Sequence, residues 1–286
     1  MDIDKILPTN DVMFKIIFGN QKNSRILIHF LNSVIQPKSP IAQVHINQTE
    51  LSRDLVAQKG VRLDILATTS DGTQINVEMQ KNVDPNMISR ALFYWAKVYS
   101  GAMDSSENYN ILKRTISINI LDFILLKDEE NFWNKYIITN TKNHRQLTDV
   151  FEMHFIELRK LENIDKDNPL TFWGEFFKDP NSEQVRKLCD TVPEIQEAKD
   201  VFERAKTSSD ARELLRIREK AKLDYASDIK TAKDEGIDIG EKREREKNAL
   251  ATKTNVHTMN AKGFDNKLIA ECLNISEAEV EKLLQE

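Results

Sequence analysis

With 286 residues, 40% hydrophobic and 30% charged, the chain is long enough to bury a core of its own, and no apolar run approaches the roughly 20 residues of a membrane helix. Its start lacks a signal-peptide core, and Cys189, Cys272 and the five histidines lack the spacing of a disulfide framework or a zinc site, so a reduced, cytoplasmic protein is expected. The net charge of −5 arises late, because residues 1–160 hold 19 Lys and Arg against 18 Asp and Glu; a uniformly basic nucleic-acid coat is excluded, and any DNA affinity must come from local cations.

Pro8-Thr9-Asn10-Asp11 is a helix-start signal, the run Val12 to Phe18 continues it, and Gly19 ends it. Two helices over about residues 10–36 are predicted. Asp11 is an early-helix acid that meets the helix dipole, and Lys15, one turn later, is either an exposed cation or a phosphate contact.

The next segment is a β-hairpin. Val61, Leu63 and Ile65 alternate with Arg62 and Asp64, and Ile75, Val77 and Met79 alternate with Asn76, Glu78 and Gln80. A two-residue Asp-Gly loop would set Asp64 opposite Met79, on the wrong face. A three-residue loop, Ser70-Asp71-Gly72 with a left-handed glycine, pairs Thr69 with Thr73 and sets Asp64 opposite Glu78, with both apolar faces pointing the same way. Directly opposed carboxylates repel, and a divalent cation removes the conflict. Hard oxygen ligands on adjacent strands suit magnesium or manganese, which keep several waters, one of them a potential nucleophile. The plain structural alternative leaves both acids on the wet face of an ordinary hairpin.

Lys81 adjoins the second arm, but alternation turns it away from Glu78 toward a solvated strand end. Asp84-Pro85 opens a predicted helix over about residues 85–103, on which Arg90, Tyr94 and Lys97 share a stripe. Either that stripe faces the acids and a phosphate, or Arg90 and Lys97 are surface cations around a core tyrosine. Strands are predicted at Thr115–Ile120 and Val150–Leu158, and strand signals vanish beyond about residue 180. Helices and strands therefore interleave around one sheet, an α/β (mixed α+β) arrangement.

From Asn181 to about Asn248 the chain is rich in Glu, Lys, Arg and Ala, which reads as a helical linker or oligomerisation helix whose glycines weaken a continuous coiled coil. The last 35 or so residues carry short-helix punctuation: Gly263, an Asp265 cap and a Ser276-x-x-Glu279 capping box. This suggests a helix-turn-helix-like module. Its final helix bears Glu277, Glu279, Glu281 and Glu286 against Lys282, the wrong charge for a major groove, so protein contact is favoured over sequence reading.

The order Asp64, turn, Glu78-x-Gln80 resembles the PD-(D/E)xK nuclease superfamily. More narrowly, the segment from Leu7 to Gly19, Phe30-Leu31-Asn32, Val77-Glu78-Met79-Gln80 and the run from Arg90 to Lys97 together resemble the Rpn family of recombination-promoting nucleases and transposases. The likeness covers roughly the first 125 residues well and the tail loosely. It implies a restriction-endonuclease-like mixed sheet flanked by helices and followed by an α-helical tail. It also implies DNA as substrate, metal-dependent phosphodiester hydrolysis with Mg2+ (or Mn2+), and a role in recombination or mobile-element activity. Asp64 and Glu78 would be metal ligands, Gln80 would stand in the superfamily's lysine position, and Asp11 would be a third-ligand candidate, because some members add an acid from their first helix. Gln80 can orient a water but carries no charge. Candidate phosphate contacts are Arg62, Lys81, Arg90 and Lys97. The implied organisation is a nuclease-like domain over 1–178, a charged helical linker over 179–248 and a small helical module over 249–286, with a homo-oligomer through the tail. The competing reading is a catalytically weak or inactive nuclease-fold protein acting in DNA tethering or protein assembly.

Overall fold

The computed structural model describes residues 5–47, 64–103, 108–163 and 168–285, in two units, Met1–Arg216 and Ile217–Glu286. In the first unit Asn10 starts α1 (Asp11–Phe18) by accepting the N–H groups of Val12 at 3.0 Å and Met13 at 3.4 Å. After Gly19 and a 3-10 turn, Gln21–Asn23, the chain enters α2 (Ser24–Ile35), so both expected helices form.

Among the described residues one six-stranded sheet forms: β1 (Val44–Asn47), β2 (Ile65–Thr69), β3 (Gln74–Gln80), β4 (Thr115–Leu121), β5 (Trp133–Tyr136) and β6 (Phe151–Glu157). The spatial order is β1-β2-β3-β4-β6-β5. The central pairs β3/β4 and β4/β6 are parallel and the outer pairs antiparallel. The expected strands at 115–120 and 150–158 are β4 and β6. Sequence patterning does not mark β1 or β5, because four residues each, with polar side chains in both, are too few to display a period.

The parallel step from β3 to β4 requires a crossover, supplied by α3 (Met87–Ser100). This helix begins two residues beyond the expected Asp84-Pro85 start, with Asn86 at its cap position. Asp84 caps the turn before it: its carboxylate accepts the Asn86 N–H at 2.8 Å and its carbonyl the Met87 N–H at 3.1 Å.

The hairpin's polar face is not wet. Helix α3 packs across it, joining Met87 and Ala91 to Leu121, Phe123, Met153 and Phe155, while Val98 and Tyr94 meet Leu66. Asn76, Glu78, Ser117 and Asn119 are all buried beneath. A sheet with a parallel centre is normally covered on both faces, which strand alternation alone does not reveal. The opposite face carries the main core, where Ile65, Ala67, Ile75, Val77, Ile116, Ile118 and Ile120 meet α1, α2, α4 (Pro169–Lys178) and α6 (Pro193–Thr207). Between the last two lies α5 (Glu183–Thr191), which buries Val185. Phe14, Phe18, Phe30, Trp173 and Phe177 pack there with ring centroids 5.0–6.4 Å apart.

At the sheet's far side a polar network has Glu152 and His154 buried at its centre, with Arg114 and Lys135 reaching in from the surface. Glu152 pairs with Arg114, with Lys135 at 3.1 Å and with His154 Nε2 at 2.8 Å, and Trp133 Nε1 donates to His154 Nδ1 at 2.9 Å. Burial disfavours the His154 cation, so the neutral ring accepts from Trp133 and donates to Glu152.

Helix α7 (Ser209–Ala261) runs unbroken for 53 residues through Gly236 and Gly240, the glycines expected to weaken a continuous coiled coil. In the second unit its end packs Val256 and Met259 against Ile269 of α8 (Asn266–Leu273) and Val280 of α9 (Glu277–Gln285). Asp265 caps α8 through the Leu268 N–H at 2.8 Å, and Ser276 Oγ accepts the Glu279 N–H at 3.2 Å, as the sequence signals imply. Among the described residues no helix is long and apolar enough to cross a membrane.

Candidate active site

The hairpin turn closes as its residues dictate. Thr69 N–H donates to the Thr73 carbonyl at 3.0 Å, Gly72 N–H donates to the Thr69 carbonyl at 3.0 Å, and Gly72 sits at φ +85°, where a side chain would be strained. Asp71 braces the loop by accepting from the Thr69 hydroxyl and from the Thr73 N–H at 3.2 Å. Strand register then runs from Thr68↔Gln74 to Ile65↔Val77, so the next pair is Asp64 and Glu78.

The two acids interlock through the backbone. Asp64 N–H donates to Glu78 Oε1 at 3.3 Å, and Met79 N–H donates to Asp64 Oδ2 at 3.0 Å. The side chains of Asp64 and Glu78 are 15% and 4% exposed. Burial pushes the Asp64 carboxyl above the usual range; the Met79 N–H and Lys15 act against this, and Asp11 adds to it. Glu78 is pushed up to about 8, first by burial and then by the charge of Asp64, with Arg90 opposing.

Two cations reach these acids from outside the hairpin. Lys15 Nζ on α1 lies 3.6 Å from Asp64 Oδ1, and Arg90 on α3 lies 3.9 Å from Glu78 Oε2 and 3.5 Å from Asp84 Oδ2. The Arg90 guanidinium sits 5.3 Å over the Tyr94 ring. The expected stripe on α3 therefore divides: Arg90 faces the acids, while the Lys97 ammonium lies 5.7 Å over the ring of Phe93, which is exposed. Asp11 is half-buried in the first turn of α1, where its carboxylate accepts its neighbour's N–H at 3.1 Å, and its charge reaches Asp64. Gln80 ends β3 half-buried, on the face of Glu78 by alternation, and Lys81 is exposed just past the strand. Arg62 lies outside the described residues.

Sequence reasoning did not single out Asn76. It is fully buried two residues before Glu78 on the same face, where its side chain helps hold the Glu78 carboxyl down against burial although neither amide atom reaches a partner at full hydrogen-bond geometry. Its place in the polar row of β3 was the available signal, but only burial under α3 makes its proximity to Glu78 matter.

Among the described residues no three His, Cys, Asp or Glu side chains gather as a ligand cluster. The donor chemistry present, two hard carboxylates on adjacent strands, still fits a divalent cation that retains waters. The Glu78 carboxyl is raised first by burial and then by the charge of Asp64, and such a cation would favour its ionised form against both.

No curated protein and no solved structure matches the chain. A family profile does: that of the PD-(D/E)XK nuclease family transposase aligns with residues 8–232. The aligned stretch includes α1, the hairpin with its opposed acids, α3 and the whole sheet. PD-(D/E)XK nucleases generally use divalent metal ions. With most of its length aligned in this way, the chain belongs to the PD-(D/E)XK nuclease family transposases.

Proposed function

We propose that the protein is a metal-dependent DNA endonuclease serving recombination or mobile-element transfer, with Asp64 and Glu78 holding Mg2+ or Mn2+. The observation that carries this reading is the opposed carboxyl pair, with Glu78 buried and pushed up to about 8. A bound divalent ion supplies Lewis-acid charge to phosphate oxygens and lowers the pKa of water. The chain's own residues supply the rest. Asp64 and Glu78 are held by each other's strand through the Asp64 and Met79 N–H groups, which limits their motion. Gln80, on the face of Glu78, orients the attacking water by hydrogen bonds. Lys15 and Arg90 provide the positive charge that Gln80 lacks in the lysine position, and Asp11 adds negative charge on the α1 side. Lys81 and Lys97, with Arg62, are the proposed phosphate contacts on the DNA, and the tail is proposed to assemble the chain into a homo-oligomer.

A second reading is a nuclease-fold protein with weak or no catalysis, acting in DNA tethering or assembly. It is favoured by the cations within 4.0 Å of both acids, which neutralise the pair from within the chain. Plasmid nicking by wild type and Asp64→Ala, with Mg2+, Mn2+ and EDTA in parallel, separates the two. Cutting by wild type alone, and only with metal, supports the endonuclease. Cutting retained in Asp64→Ala would sink the metal-site assignment, and no cutting by wild type alongside DNA association would favour the second reading.

A further inference from the structure

We infer that α7 pairs with the α7 of a second copy of the chain, parallel and in register, through the face that carries Ile217, Tyr225, Ile229 and Ile239. At about 100° per residue these four fall within about 60° of one line down the helix. They are 52–68% exposed, so the face is unpartnered within the chain. Ala221, Ala232 and Gly236 lie on the same line and let a second backbone approach closely. The steps between these positions average close to the 3.67 residues of an 11-residue repeat, a spacing that keeps such a stripe facing a partner helix over many turns. A helix this long and solvated, with two glycines, gains little from propensity alone and draws its stability from packing.

Charge selects the partner and the direction. Asp224, Asp228 and Glu235 lie about 40–80° to one side of the same line, Asp228 sharing the side of Ile217 and Ile239, and Arg218 and Lys233 lie about 40–100° to the other. In a parallel pair the acidic edge of one helix faces the basic edge of its mate, whereas an antiparallel pair sets acid against acid and base against base. Two copies of this helix are thus complementary in parallel and repulsive in antiparallel, with Asp228 facing Lys233 of the partner subunit. The surface lies wholly within the second unit, and the inference rests on the proposed homo-oligomer through the tail, whose partner and direction it names, but not on the catalytic reading.

The test uses the full-length chain with Cys189→Ser and Cys272→Ser, which removes both native thiols. Light scattering at tens of micromolar is expected to return twice the 33.1 kDa chain mass. Ala221→Cys and Ala232→Cys, made separately, are each expected to form an intermolecular disulfide, since parallel register sets each position against itself. Asp228→Lys is expected to raise the dimer dissociation constant at least tenfold, and adding Lys233→Asp to restore it, with circular dichroism reporting that the helix persists. A monomeric mass, cross-linking at only one of the two positions, or a dissociation constant indifferent to Asp228→Lys would each overturn the inference.

Discussion

Replacing Glu78 with glutamine should stabilise the metal-free protein while abolishing cutting. The Glu78 carboxyl moves from its ordinary 4.5 to about 8 in the folded chain. Between those values the folded state holds a proton that the unfolded state has released, so folding stability falls as pH rises, by about 1.4 kcal/mol per unit. At pH 7 this amounts to about 3 kcal/mol, and at pH 5 to less than about 1 kcal/mol. Glutamine keeps the shape and the acceptor for the Asp64 N–H, yet has no proton to lose. Urea unfolding in EDTA, followed by tryptophan fluorescence, measures the difference directly. Trp95, Trp133 and Trp173 all lie in the unit that contains the site, so the signal reports that unit. The expected result is a variant more stable than wild type by about 3 kcal/mol at pH 7, with the gap nearly closed at pH 5. A variant less stable than wild type at pH 7, or a gap independent of pH, would refute the account of Glu78 as a strained, charge-burdened carboxyl.

Gln80→Lys is expected to retain metal-dependent nicking, because lysine restores the superfamily's cation on the face of Glu78; complete loss of cutting in a folded variant would count against Gln80 as the water-orienting group. Glu152 is held down to about 2 by His154, Arg114 and Lys135 against the opposing effect of burial. Its contribution is therefore complete above pH 4.5 and lost as pH falls toward 2, so Glu152→Gln should cost about 3 kcal/mol at pH 7 and visibly less at pH 3.5 in urea titrations. At Gly174 an added Cβ would meet Leu161 Cδ1 at 2.5 Å and Phe132 Cζ at 3.0 Å, so Gly174→Ala should destabilise by about 1–3 kcal/mol. Gly240 has nothing within 4 Å, and Gly240→Ala should instead strengthen α7 by about 1 kcal/mol, read as helicity against temperature.

The matched acids were legible from the sequence because everything that aligns them is local. Ser70-Asp71-Gly72 demands a three-residue turn with a left-handed glycine, and a period of two carries that register outward to Asp64 and Glu78. The caps at Asn10, Asp265 and Ser276 were legible for the same reason, since each satisfies N–H groups within three residues. The electrostatic character of the site was not legible. Lys15 and Asp64 stand far apart in sequence and meet only because α1 docks beside the hairpin, while Arg90 arrives because the parallel step from β3 to β4 throws α3 back across the sheet. That crossover also buries the hairpin's polar face, enclosing Asn76 beside Glu78 and lifting Glu78 to about 8. Alternation tells which side chains share a face, but what covers that face depends on helices brought in from elsewhere in the chain, and desolvation follows from the covering alone.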